Sequence, residues 1–171
     1  MRDEQPRIVI NHSGKKFLGR CMFELKSTFT QTFPTEYTCD GKNSSPELMW
    51  TELREAKGYA LIVEDPDAPG GSFVHWVAYN IPAGVSRFPP SLPREEVVTG
   101  LCTQGLNSFA RMGYDGPCPP LGHGTHRYYF RLYALSSKTS FPPGVRAQKL
   151  REGIASAILA TAEFVATYSR K

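Results

Sequence analysis

Three apolar runs, 59–64, 73–80 and 126–135, each bordered by proline or glycine, constrain the fold of this chain more than any other feature. Tyr59-Ala60-Leu61-Ile62-Val63-Glu64 is a continuous stretch of β-formers that stops at Pro66, a residue with no N–H to give a sheet ladder. It reads as a central strand. In 73–80 the alternation puts Phe73, His75, Val77 and Tyr79 on one face and Val74, Trp76 and Ala78 on the other. Both faces are apolar, so both are expected to be covered, which points to a layered sandwich. In the third run His126, Tyr128, Phe130, Leu132 and Ala134 share a face, with Tyr129, Tyr133 and Leu135 opposite.

Between the runs, Ile81-Pro82-Ala83-Gly84 and Phe88-Pro89-Pro90-Ser91-Leu92-Pro93 read as surface connections outside a central sheet. After Phe141-Pro142-Pro143-Gly144 the period changes. Leu150, Ile154, Ala157, Ile158, Ala162, Val165 and Tyr168 recur at three- and four-residue steps, which predicts one amphipathic helix packed on the sheet. With 171 residues and no internal repeat, one domain over 1–171 is expected, with 1–20 as a loosely packed N-terminal segment.

Charge narrows the partners. The balance of 20 basic and 16 acidic residues gives a net +4, and the lysines and arginines are scattered, so neither nucleic acid nor an anionic membrane surface is indicated. No run is long and apolar enough to span a bilayer, and the opening Met1-Arg2-Asp3-Glu4-Gln5-Pro6 lacks the apolar core of a secretory signal, so a cytoplasmic location is expected. Cys21, Cys39, Cys102 and Cys118 show no paired C-x-x-C spacing, which argues against a zinc knuckle. In a reducing compartment four free thiols are the default, with a Cys102–Cys118 bridge between two loops as the alternative.

Against this background four polar side chains stand out. Asp65, His75, His126 and Tyr128 sit at the ends of runs that should be buried. If those runs are neighbours, the four converge on one partly desolvated pocket, the setting in which perturbed titratable groups mark a site. Two imidazoles and a phenol, with backbone N–H groups near Gly122 and Gly124, are donors suited to a phosphate-like anion. Asp65 and Asp67 would repel that anion directly. They are left two roles, holding an imidazole in its charged state or accepting a ligand's ammonium. His123 and His12 read as solvated, and Trp50, Trp76 and Tyr114 as packing residues. The same histidines and Asp65 form the rival reading, a metal-dependent or other small hydrolase. No H-x-x-x-H or H-E-x-x-H spacing supports the metal, and Ser72 in Gly70-Gly71-Ser72-Phe73 lacks a nucleophile elbow.

Several motifs in order resemble the phosphatidylethanolamine-binding protein family, also called Raf kinase inhibitor proteins, in its bacterial and archaeal branch. They are Tyr37-Thr38-Cys39-Asp40-Gly41-Lys42-Asn43-Ser44-Ser45-Pro46, Asp65-Pro66-Asp67-Ala68-Pro69, Val74-His75-Trp76, and Gly113-Tyr114-Asp115-Gly116-Pro117-Cys118-Pro119-Pro120 followed by Gly124-Thr125-His126-Arg127-Tyr128. The resemblance runs from about Phe23 to the C-terminal segment. It implies an antiparallel Greek-key β-sandwich, a small anion pocket at one end, and no cofactor. It places the ligand-binding positions at Asp65, Asp67, Pro69, His75, Pro119, His126 and Tyr128. The implied ligand is a small anion or zwitterion such as phosphate or phosphoethanolamine, bound without catalysis, with a phosphoprotein or kinase as a further partner and a homodimer as the assembly. Two positions depart from the family pattern: Glu47 stands where a second proline is expected, and Asp115 where a glycine is. Asp115 is expected to add negative charge near the pocket mouth.

Overall fold

The computed structural model describes residues 22–171 and the backbone of 9–10 and 16–17. The expectation for a loose N-terminal segment over 1–20 falls largely outside the described residues. Apart from the short antiparallel pair β1 (Val9–Ile10) and β2 (Lys16–Phe17), two sheets make up the sandwich. The smaller holds β3 (Leu25–Ser27), β4 (Leu48–Trp50) and β7 (Arg87–Phe88) in the order β3-β4-β7. The larger holds β5 (Gly58–Asp65), β6 (Phe73–Pro82), β8 (Val97–Val98), β9 (Cys102–Gln104), β10 (His126–Leu135) and β11 (Ile158–Tyr168) in the order β11-β10-β5-β6-β9-β8, antiparallel throughout. The return of β10 to lie beside β5, across an interval containing four strands of both sheets, is the long connection of a Greek key.

β5 is buried at every position and lies between β10 and β6, as a two-sided apolar run requires. One core lies between the sheets, where Leu61, Val63, Trp76, Ala78, Phe130 and Leu132 meet Leu25, Leu48, Trp50 and Phe88. A second lies on the outer face of the large sheet, where Ala60, Ile62, Val77, Tyr79 and Leu135 meet Leu150 and Ile154. The expected surface connections contribute more than connection: Ile81 and Pro82 finish β6, and Phe88 is a fully buried strand residue of β7.

The C-terminal segment is helical only in its first part. A helix, α1 (Ala147–Ile154), does pack on the sheet, but a 3₁₀ turn over Ala155–Ala157 ends it and Ile158–Tyr168 is strand. The segment ILATAEFVATY satisfies a second period that the helical reading overlooked. Ala160, Ala162, Phe164, Ala166 and Tyr168 alternate onto the inter-sheet core. Pairing decides between the two periods. β11 runs in register with β10 from His126↔Tyr168 to Leu135↔Ile158, satisfying backbone groups of β10 that a helix would leave open.

His75 also departs from simple alternation. Val63 pairs with Trp76 and Glu64 with Val74, so one extra residue is bulged out of β6 between them. Val74 then packs with Val77 and Tyr79 on the outer layer, while the His75 ring lies 5.2 Å from that of Tyr128, a residue of the inter-sheet core. The expected shared face of His75, Val77 and Tyr79 is therefore broken by the bulge, which turns the imidazole toward β10.

The cysteine expectation is overturned. Cys39 and Cys118 form a disulfide with Cα atoms 5.4 Å apart, and Cys102 is a buried free thiol. The bridge that was weighed, Cys102–Cys118, had the right second partner and the wrong first one. Cys102 faces the apolar inter-sheet core from β9, where burial pushes its thiol up to about 12.

Candidate functional site

The end of β5 and the beginnings of β6 and β10 lie at the same end of the large sheet, because β5 runs antiparallel to both neighbours. Asp65, His75, His126 and Tyr128 are carried there. They are 3 %, 3 %, 2 % and 1 % exposed, so their polar atoms have been taken almost wholly out of water. Each polar atom therefore needs a protein partner or a ligand.

Asp65 has two partners. Its Oδ1 accepts the backbone N–H of Asp67 at 2.8 Å, a turn held by the acidic side chain before Pro66. Its Oδ2 lies 2.6 Å from His126 Nδ1, which donates to it. The carboxylate thus fixes the tautomer of His126 and leaves Nε2 directed away. Asp65 thus holds the His126 ring in position from the end of β5.

His75 is held from the opposite side by the Gly113–Pro120 loop. Asp115 N–H donates to His75 O at 3.0 Å, and His75 Nδ1 donates to Asp115 O at 2.7 Å. Burial holds the imidazole below its ordinary pKa, against the opposing pull of the Asp115 carbonyl and the Asp65 charge. With Nδ1–H committed to a carbonyl, the neutral ring presents a lone pair at Nε2. Phe73, tilted, and Phe109, edge-on, pack against this ring with centroids at 5.3 and 5.9 Å.

Tyr128 is the unsatisfied member. Its ring packs edge-on against Phe33 and His75, yet its buried hydroxyl has no hydrogen-bond partner among the described residues. Burial, and then the nearby Asp65 charge, hold the phenol proton on, far above the usual tyrosine range. The acceptor nearest in effect is the Asp65 carboxylate, whose oxygens already take Asp67 N–H and His126 Nδ1–H, and the hydroxyl makes no hydrogen bond of ordinary geometry with it.

The loop carrying Asp115 is fastened to the small-sheet side. Tyr114 Oη donates to Tyr37 O at 2.6 Å, Cys39 N–H to Pro117 O at 3.0 Å, and Gly116 N–H to Asn43 Oδ1 at 2.7 Å. A Cβ on Gly116 would come within 1.9 Å of Tyr37 O, so only glycine permits this approach. The Cys39–Cys118 bridge closes the same seam.

Asp115 does not load the mouth with charge as the sequence suggested. It is 2 % exposed, and its carboxylate accepts from Asn43 at 3.0 Å and Asn107 at 2.9 Å, with Arg94 at 3.2 Å and Arg111 at 3.4 Å. The two guanidiniums neutralise it, and its carbonyl is the group that orients His75. Glu47, the other departure, pairs with Arg87 at 2.6 Å on the small sheet.

Other expected site residues stand further out. Asp67 makes a two-pronged pair with Arg127, Oδ1 to Nη2 at 2.7 Å and Oδ2 to Nε at 2.9 Å, and that guanidinium lowers its carboxyl to about 2. Oδ2 also accepts Arg127 N–H at 3.0 Å, so the carboxylate's charge is matched by one guanidinium. Pro69 is exposed, whereas Pro119 is buried with its carbonyl accepting from Arg170 at 3.4 Å. Gly122 N–H, expected to serve the anion, donates to Arg170 O at 3.2 Å.

His123 was missed. It lies in the exposed Leu121–Thr125 segment, yet its Nδ1 is 2.8 Å from His126 Nε2. Its position three residues before His126, between two glycines, was the available signal. The hydrolase reading finds no matching geometry: Ser72 Oγ donates to Glu64 Oε2 at 3.0 Å, not to an imidazole. No group of three acidic, histidine or cysteine side chains suited to a metal occurs among the described residues.

Comparison with known proteins agrees with this architecture. The family model described as phosphatidylethanolamine-binding protein matches residues 25–169. A UPF0098 protein of Aquifex aeolicus is 43% identical over 142 residues, covering 82% of each chain. One of Pyrococcus abyssi is 40% identical over 158 residues, covering 90% of this chain and 88% of its own. Among solved structures, a phosphatidylethanolamine-binding protein homolog from Chlamydia trachomatis superposes with a TM-score of 0.78 at 37% identity, over 87% of this chain and 98% of its own. Escherichia coli YbcL, described as a member of the mammalian family, gives 0.79 at 32% identity over 87% and 99%. Among the described residues no helix is long and apolar enough to cross a membrane.

Proposed function

Because the chain belongs to the phosphatidylethanolamine-binding protein family, we propose that its Asp65–His126 and His75–Tyr128 pairs line a site for a small phosphate-bearing or other oxyanionic ligand, bound without chemical turnover. The observation that carries this reading is the buried Tyr128 hydroxyl with no partner, beside an imidazole whose Nε2 presents a lone pair. An orphaned buried hydroxyl costs about 1–3 kcal/mol, and a ligand oxygen at that position removes the penalty.

The donor and acceptor pattern narrows the ligand. Tyr128 offers a proton and neutral His75 offers a lone pair. A phosphate or phosphomonoester monoanion suits both, an anionic oxygen accepting from Tyr128 and the P–O–H donating to His75 Nε2. A phosphoethanolamine head group fits through its phosphate end. The Asp67 charge is already matched by Arg127, so the ethanolamine end is expected to lie toward solvent.

Exposed Phe109, packed edge-on against Phe73 beside His75, favours a second reading in which the same mouth docks a phosphorylated segment of a partner protein such as a kinase. Calorimetry with inorganic phosphate and phosphoethanolamine on wild type, Tyr128→Phe and His75→Ala tests the site. Wild type should bind both ligands, Tyr128→Phe should lose about tenfold in affinity, and His75→Ala should lose binding. Equal affinities in all three proteins would reject the site.

A further inference from the structure

One ligand-facing atom of the cluster is already occupied. Asp65 takes His126 Nδ1, so Nε2 is the ring nitrogen of His126 left for a ligand, and His123 Nδ1 lies 2.8 Å from it with the two rings 5.0 Å apart. His126 is 2 % exposed although Thr125 and Arg127 on either side are exposed. His123 therefore lies over the outward edge of a ring that its own strand leaves open.

The segment that carries His123 is exposed from Leu121 to Thr125. Gly122 and Gly124 flank it with φ of 71° and 93°, backbone that other residues rarely adopt. A Cβ at either glycine would meet no atom within 4 Å, so both positions face open space. Its backbone ties are Gly122 N–H to Arg170 O at 3.2 Å and His123 N–H to Pro120 O at 3.1 Å. Leu121, 68 % exposed, gains nothing from its position. The imidazole pair is thus the contact that directs this loop onto the site.

We propose that His123 is a reversible plug: it holds His126 Nε2 in the free protein, and an oxyanion must displace it to use that nitrogen. The proposal rests on the oxyanion reading of the site and adds the regulation of that site by competition. With Nδ1–H given to Asp65, His126 Nε2 accepts from His123 Nδ1–H, and the bond is exchanged, not lost, when a P–O–H of a phosphate monoanion takes over as the donor to Nε2. The loop then swings out on its two glycines with little else to break. Affinity is set by the difference between the two bonds, and a protein without the plug binds more tightly.

Two measurements on the full chain test this, each on wild type, His123→Ala and His123→Gln. Hydrogen–deuterium exchange at the imidazole C2 position of His126, followed residue by residue by mass spectrometry, reports the cover without any ligand. Calorimetric titration with inorganic phosphate reports the competition. In His123→Ala, exchange at His126 should quicken several-fold and phosphate should bind about 2–10-fold more tightly, the equivalent of one net hydrogen bond. His123→Gln, which can still reach Nε2, should fall between. Unchanged exchange at His126 overturns the plug whatever the ligand does. Weaker phosphate binding in His123→Ala also overturns it, since His123 would then be a donor to the ligand. Quicker exchange with no phosphate binding by any of the three proteins overturns the oxyanion reading instead, and the competition with it.

Discussion

His126 Nδ1 donates to Asp65 Oδ2 across 2.6 Å, joining the first residue of β10 to the last of β5 through two buried side chains at one end of the sheet. The same carboxylate caps the turn into Asp67. One acidic side chain therefore closes the β5–β6 turn, fixes the tautomer of His126 and sets which imidazole nitrogen faces outward.

Asp65→Ala should accordingly destabilise the fold. It leaves His126 Nδ1–H and the Asp67 N–H without acceptors, and a buried unsatisfied group costs about 1–3 kcal/mol. Urea unfolding followed by tryptophan fluorescence measures this, and a midpoint equal to wild type would mean that water or another group replaces the carboxylate.

Tyr128→Phe should behave in the opposite way. It removes a buried hydroxyl that lacks a partner while keeping the ring against Phe33 and His75. Stability in ligand-free buffer should be unchanged or higher by up to about 1–3 kcal/mol, while phosphate affinity falls. A clear loss of stability without ligand would show that the hydroxyl is satisfied within the protein.

The pH dependence has two windows of the same direction. Asp67 is lowered to about 2 in the fold by Arg127, against about 3.9 unfolded. Its pair stabilises above the unfolded value and loses that contribution as pH falls from about 4 toward 2. Arg127 is half exposed, so the effect is small, below about 1 kcal/mol. His75 is depressed by burial below about 6.5, so the unfolded chain takes up its proton first and stability drops as pH falls below that value. Thermal melts from pH 8 to 5 should show a steeper decline in wild type than in His75→Asn, and melts from pH 4 to 2 a convergence of wild type and Asp67→Asn. Parallel curves in either range would contradict the corresponding shift.

The disulfide closes a loop of 79 residues in sequence separation. In the chain-entropy account such a bridge contributes about 4 kcal/mol, and Cys39→Ser or Cys118→Ser should lower stability by about 2–4 kcal/mol. Thiol titration of the denatured protein should find two fewer reactive groups before reduction than after. Equal counts would mean that the bridge does not form. A stable bridge is at home in oxidising compartments and in the cytoplasm of hyperthermophiles, so the cysteines do not support the ordinary reducing cytoplasm that the sequence suggested.

Much of the site could be read from the chain because strands translate sequence spacing directly into direction. His126 and Tyr128 had to share a face two residues apart on one strand, and Asp65 had to fall where Pro66 stops another. His75 was singled out for a sound reason but assigned the wrong face, since a bulge depends on how Val63 and Glu64 pair, which no single strand encodes. Residues 158–168 carried both a helical and a strand period, and the choice fell to the open edge of β10. The partner of Cys118, the neutralisation of Asp115 by Arg94 and Arg111, and the contact of His123 with His126 all join segments whose proximity local pattern does not specify.

What the amino-acid order determined by itself was the set of buried strands and the chemical types at their ends, because burial and side-chain alternation are local consequences of residue type. What only the tertiary structure decided was which atoms are satisfied: Asp67 is committed to Arg127 and His126 to Asp65 and His123, whereas the hydroxyl of Tyr128 is left without a partner. Hydrogen bonding is short-ranged and directional, so a shift of about an ångström decides whether a group is paired, and such distances are fixed by packing across the whole sandwich.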